Sequence, residues 1–271
     1  MAGVEFISVT ETYNLLNAQD TCGRPRVAEP NFLLLLDTRS IKDYRTAHIK
    51  FSQYVRRNSE EFLKPMNINI DCIENIIILD EDSKSSTGAK DQIKKLAENF
   101  SDWGSRNKVK ILDGGYRGFT KKYSFLATFS PNLTRRKVQE NILTMPLELS
   151  DKTFVGSQEQ VTKENLHNLK IDKIIIAESS ANECNLPDAP EIEDKIIRIN
   201  ANEMKRQSVD SVKDKRVLII CKKGTEWSLV LGVLMLKMSS GSSREACLEK
   251  VKLVEPNFIL GKAHYDIMST F

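Results

Sequence analysis

The sequence predicts an α/β fold divided into two domains. Three observations carry this reading. Between residues 5 and 127, short apolar runs ending in acidic or polar residues alternate with stretches of helical spacing, the pattern of a parallel sheet covered on both faces. Strand-like and helix-like segments resume beyond Pro146. Between the two, from Ser130 to Thr144, the character changes: Pro131 is followed by Arg135, Arg136 and Lys137. The expected division is a first domain over 1–130, a linker over 131–145 and a second domain over 146–271.

In order, Ser8 to Ala18 reads as a helix, with Ser8 as N-cap and Glu11 completing a capping box. Thr21 to Pro30 is loop. Asn31 to Leu36 is a buried strand ending at Asp37. Arg39 to Ala47 reads as a short helix. Ile76 to Leu79 is a second buried strand, stopped by the polar run Asp80 to Gly88. Ala89 to Phe100 has helical spacing, with Ile93, Leu96, Ala97 and Phe100 on one face. Val109 to Leu112 is a third strand, and Tyr116 to Leu126 a helix. In the second domain, Lys152–Val155, Lys173–Ala177, Lys195–Ile199 and Arg216–Ile220 read as strands. Lys163–Leu169, Leu229–Met238 and Arg244–Val254 read as helices, the middle one apolar enough to be buried.

Composition excludes several classes. Hydrophobic residues make up 40% and charged residues 28%, an ordinary globular balance. The net charge of +3 is too small to imply nucleic acid. No run is long and apolar enough for a membrane span. The five cysteines (Cys22, Cys72, Cys184, Cys221 and Cys247) form no CxxC pair, and the three histidines are far apart, so neither a metal site nor a cofactor is expected. Met1 to Leu16 has neither the marks of a secretory signal nor those of an Arg-rich transit peptide, so a cytoplasmic location is expected.

Asp37-Thr38-Arg39, then Asp43-Tyr44, then His48-Ile49, followed much later by Gly114-Gly115-Tyr116-Arg117-Gly118-Phe119, resemble the two signatures of a rhodanese. Asp37 would accept backbone hydrogen bonds in the next turn, and Arg39 would pair with Asp43 four residues on. A rhodanese transfers sulfur through a cysteine after its central strand. Here that strand runs into Asp80-Glu81-Asp82, which cannot form a persulfide, and Cys72 lies before the strand. Sulfur transfer is therefore not expected. Leu79-Asp80-Glu81-Asp82-Ser83 resembles the non-catalytic rhodanese domains of MAP-kinase phosphatases. That resemblance implies a basic docking patch, met here by Lys50, Arg56 and Arg57 on an exposed strand.

The second domain resembles a dual-specificity phosphatase. The family loop is His-Cys, five residues, then Arg-Ser/Thr, with Gly three after the Cys. This chain reads Ile220-Cys221-Lys222-Lys223-Gly224-Thr225-Glu226-Trp227-Ser228. Cys221, Gly224 and Ser228 match, but Trp227 stands where the arginine should grip phosphate with a planar fork. The expected acid position holds Asn200-Ala201-Asn202-Glu203, leaving Glu203 as a vestigial acid, and Glu203 to Lys213 looks truncated. Lys222 and Lys223 could still hold an anion weakly.

The combination is a rhodanese-like parallel sheet with helices on both faces, followed by a degenerate dual-specificity phosphatase-like α/β domain. It is similar to the pseudophosphatases of the MAP-kinase-phosphatase-like group, although these commonly lose the cysteine and keep the arginine. The resemblance implies a protein-binding regulator whose partners are proteins: phosphoproteins, MAP kinases, stress-granule proteins or another phosphatase. It also brings in a mitochondrial location beside the cytoplasm. The competing expectation is a weak cysteine phosphatase using Lys222 or Lys223 in place of the arginine.

Overall fold

The computed structural model describes residues 3–58, 61–65, 68–129, 144–178, 184, 186, 190–200, 211–212, 214–221, 227–256 and 258–269. The chain divides into two compact units, Met1–Leu16 with Pro25–Ile142, and Asn17–Arg24 with Leu143–Phe271. Most of the expected linker, and the segment Glu203 to Lys213 apart from 211–212, lie outside the described residues.

The first unit is built on a five-stranded sheet in the order β1-β6-β5-β2-β4, with every neighbouring pair parallel. Its strands are β1 (Val4–Ile7), β2 (Leu33–Asp37), β4 (Gln53–Tyr54), β5 (Asn75–Leu79) and β6 (Val109–Leu112). β3 (His48–Ile49) pairs antiparallel with β7 (Ala127–Thr128) apart from it. β2 and β5 are apolar runs because a parallel sheet buries both of its faces.

The helices are α1 (Val9–Asn17), α2 (Ile41–Thr46), α3 (Asp91–Asp102) and α4 (Gly115–Lys122). α1 starts where expected: the Glu11 N–H donates to Ser8 Oγ at 3.1 Å, and the Ser8 N–H donates to Glu11 Oε2 at 2.9 Å. The apolar face of α3 is the one the spacing predicts, with Ile93, Leu96, Ala97 and Phe100 buried. α4 ends four residues early, because Tyr123 leaves helical geometry at φ −128° and a short 3-10 turn, Ser124–Leu126, follows.

The second unit has its own five-stranded sheet, ordered β11-β10-β12-β9-β8. These are β8 (Leu147–Ser150), β9 (Thr153–Ser157), β10 (Lys173–Glu178), β11 (Ile196–Asn200) and β12 (Val217–Cys221). All pairs are parallel except β8 with β9. Its helices are α5 (Lys163–Asn168), α6 (Pro190–Glu193), α7 (Trp227–Ser240), α8 (Arg244–Val254) and α9 (Lys262–Ser269).

α7 is apolar all round and buried from Trp227 to Leu236, as a helix without a polar face must be. Gly232 lets it lie close on the sheet: a Cβ there would stand 2.5 Å from Leu149 Cδ1 and 3.2 Å from Val155 Cγ1. β12 ends at Cys221 and α7 begins at Trp227, and residues 222–226 between them lie outside the described residues.

Candidate functional site

In an open parallel sheet, ligands sit beyond the C-terminal ends of the strands, where loops diverge. The first unit has an open pocket of about 460 Å³ at that place, beyond β2 and β5. Thr38, Arg39 and Ser40 from the turn after β2 line it, with Asp80 and Glu81 from the turn after β5. Arg57, Lys90 and Arg117 supply further cations from three separate segments.

Arg39 is held from several sides. Its Nε donates to Asp37 Oδ1 at 3.1 Å, and its Nη2 to Asp37 Oδ2 at 2.8 Å and to the Ala47 carbonyl at 2.7 Å. The Arg39 amide donates to Asp37 Oδ1 at 3.0 Å, the expected backbone bond. The guanidinium carbon lies 3.5 Å from the centre of the Tyr116 ring. Glu81 stands at 3.7 Å on the remaining side.

The expected Arg39–Asp43 pair does not form. α2 begins only at Ile41, so Arg39 is not yet on the helix and four-residue spacing does not bring the two together. Asp43 faces the N-cap instead, accepting from Ser40 Oγ at 2.5 Å. Burial works against the Arg39 charge, but the bonds and charge of Asp37 outweigh it and hold the guanidinium above its ordinary value. Burial pushes Asp37 the other way, toward the neutral acid. The guanidinium cannot give up its proton, and three N–H groups face the carboxylate, so the pair is an ion pair.

The loop after β5 is stitched by its own carboxylate. Asp80 is buried, and its Oδ1 accepts from the Asp82 and Ser83 amides at 3.2 and 2.8 Å. Its Oδ2 accepts from Ser83 Oγ at 2.8 Å and lies 3.4 Å from Lys90 Nζ. The bond from Lys90 to Asp82, with the charge of both acids, holds this lysine above its ordinary value. The loop then lies against the start of α4: Tyr116 N–H donates to the Asp80 carbonyl at 2.8 Å, and Arg117 N–H to the Glu81 carbonyl at 3.0 Å. Gly115, at φ +55°, is required here, since a Cβ would stand 2.6 Å from the Asp82 nitrogen. The Asp82 and Ser83 amides are thus turned inward onto a carboxylate. Cys72 is exposed and lies at the other end of β5, about 15 Å along the strand.

Of the expected docking residues, Arg57 lines the pocket, while Lys50 and Arg56 are not in its lining. Arg56 and Arg57 follow β4 instead of lying on it: the Leu63 amide donates to the Arg56 carbonyl, and Arg57 bridges to Phe62. Lys90 and Arg117 escape sequence reasoning as pocket residues. Only the signature around Tyr116 hints at Arg117.

In the second unit, β12 ends on Cys221, which is buried, and Cys221 Sγ lies 3.3 Å from Ser228 Oγ. Trp227 is 8% exposed and belongs to the core cluster of this unit. Its ring meets His264 of α9 edge-on, with centroids 4.5 Å apart. Lys222, Lys223, Gly224 and Glu203 lie outside the described residues. Among the described residues no cluster of His, Cys, Asp and Glu is placed to hold a metal ion, and no helix is long and apolar enough to cross a membrane.

Residues 18–122 match the family model of the rhodanese-like domain. A search of curated protein sequences found no match. Among solved structures, human DUSP28 is similar at 14% identity over 48% of this chain and 93% of that one, with a TM-score of 0.40. A leucine rich repeat and phosphatase domain containing protein from Entamoeba histolytica is similar at 16% identity over 46% and 89%, with a TM-score of 0.36. PTPMT1 is similar at 10% identity over 45% and 90%, with a TM-score of 0.37. Residues 18–122 are thus similar to the rhodanese-like domain, and part of the chain is similar in structure to human DUSP28.

Proposed function

We propose that the chain is a non-catalytic binding protein, a pseudophosphatase of the serine/threonine/tyrosine-interacting-like (MK-STYX) type that regulates signalling or stress pathways through protein partners. One observation carries this: Trp227, at the position of the phosphate-gripping arginine, is buried in the core against His264. An indole has one N–H and no charge, so it cannot clamp two phosphate oxygens. Losing a single transition-state donor already costs about 3–4 kcal/mol. Asp80 supports the same reading from the first unit, since a carboxylate that caps its own loop transfers no sulfur.

Partners of this protein are proteins: phosphoproteins, MAP kinases, stress-granule proteins or another phosphatase. Its place is the cytoplasm, with the mitochondrion added by resemblance. The pocket beyond β2 and β5 is the surface we assign to binding, with Arg57, Lys90 and Arg117 as its exposed cations. Phosphatase activity of the purified chain that disappears in Cys221→Ser would refute the proposal. Affinity capture with the intact chain, with Arg57→Ala and with the chain cut near Ser130 identifies the surface used.

A second reading, a weak cysteine phosphatase, is favoured by one contact. Cys221 Sγ within 3.3 Å of Ser228 Oγ keeps a hydroxyl beside a buried thiol. Phosphopeptide titration separates the two readings, because this one requires saturable binding that Lys222→Ala or Lys223→Ala weakens.

A further inference from the structure

The loop after β5 is tied to the turn before α4 by Ser85. Ser85 donates twice to the Asp113 carboxylate: its amide to Oδ1 and its Oγ to Oδ2, each at 2.9 Å. Asp113 immediately follows β6 and opens the Asp113-Gly114-Gly115 turn into α4. Behind the latch the loop and turn are zipped together, with Gly114 N–H donating to the Ser83 carbonyl at 2.6 Å. The Tyr116 and Arg117 amide bonds come next, then Arg117 Nε to Glu81 Oε1 at 2.8 Å. Ser85 is the outermost tooth of this zip.

We propose that Ser85 is a phosphorylation site, and that its modification unlatches the 80–88 loop from the turn before α4. A kinase would transfer the γ-phosphoryl group of ATP to Ser85 Oγ. The new Oγ–P bond forms, the bond to ADP breaks, and the hydroxyl proton leaves to the kinase base. The product carries about −1.5 to −2 charge at neutral pH, against a carboxylate that had accepted the lost proton's hydrogen bond.

The neighbouring hydroxyls lack this leverage. Ser83 is buried and donates to Asp80. Ser86 and Thr87 are exposed at the loop tip, and neither hydroxyl donates to a carboxylate among the described residues. Ser85 alone among the four is both exposed and bonded to a carboxylate on another element. Glu81 and Asp82 upstream suit a serine kinase that favours acidic residues before its target. Because Asp80 and Glu81 line the pocket, opening the latch loosens one of its walls. That last consequence rests on the binding role proposed above, whereas the latch itself does not.

The test uses the full chain, an acidophilic serine kinase shown active on its own control peptide, and ATP. Mass spectrometry locates the phosphate, and amide exchange is then read at Ser85 and Gly114. The expected result is phosphate on Ser85, absent in Ser85→Ala, with exchange at both amides faster by about tenfold or more and α3 unchanged. In Asp113→Asn, which removes the repulsion, phosphorylation should accelerate exchange far less. Phosphate found only elsewhere, exchange unchanged on the modified chain, or equal acceleration in Asp113→Asn would each overturn the proposal. Binding of a captured partner is measured separately, so a missing partner leaves the exchange result to decide the latch.

Discussion

Replacing Trp227 by alanine measures how far this residue has become core. The side chain is 8% exposed and lies within one apolar cluster with Cys221, Leu229, Val230 and Phe258. Truncating a buried Trp costs about 3–5 kcal/mol, the transfer loss plus the cavity left behind. The edge-on contact with His264 adds about 0.5–1.5 kcal/mol of coupling beyond area. His264→Ala should cost little beyond that coupling and its capping bond from the Gly261 amide.

A double-mutant cycle over Trp227→Ala and His264→Ala isolates the pair. With a urea slope of about 2 kcal/mol/M, a 4 kcal/mol loss moves the midpoint of this unit by about 2 M. Circular dichroism follows the transition, and fluorescence adds an internal control. The chain has two tryptophans, Trp103 in the first unit and Trp227 in the second, so Trp103 emission should keep its own transition in Trp227→Ala. A midpoint within about 0.5 M of the parent would refute the reasoning. It would mean that Trp227 caps an open seat instead of filling a core.

Trp227→Arg should bind inorganic phosphate and be stabilised by it in calorimetry, yet hydrolyse p-nitrophenyl phosphate only marginally; full turnover would show that an acid is in place after all. Arg39→Ala leaves the fully buried Asp37 without its partner and should cost about 3–5 kcal/mol, read from Trp103 emission during urea unfolding. Gly115→Ala puts a methyl 2.6 Å from the Asp82 nitrogen at φ +55°, and should lower the melting temperature by several degrees or prevent folding. Asp80→Ala frees the amides of Asp82 and Ser83, so their exchange should accelerate at a cost of about 1–3 kcal/mol.

What the sequence discloses depends on the distance over which an interaction acts. The Ser8–Glu11 box and the buried face of α3 are legible because neighbours a turn apart decide them. β1 and β8 are silent: each is a four-residue strand at a sheet edge and only partly buried, whereas the equally short β6 lies inside its sheet and reads as a strand. Asp37 and Arg39 are legible as important, but not as each other's partner, because the start of α2 decides that. The pocket is the least legible feature. Arg57, Lys90 and Arg117 are spread over 60 residues and are gathered only by strand order. Trp227 reads as a missing arginine, whereas its seat against His264 depends on where α9 returns.

On the binding role proposed above, the carboxylate of Asp80 makes sulfur chemistry hard to gain by a single codon. A thiol at that position would not restore a donor cradle, because the Asp82 and Ser83 amides, Ser83 Oγ and Lys90 are all arranged around two oxygens. It would strip those groups of their acceptor before it acquired a reactant. Any path to a thiol in this loop first crosses a chain less stable than the present one, and this acts as a ratchet on the loop after β5.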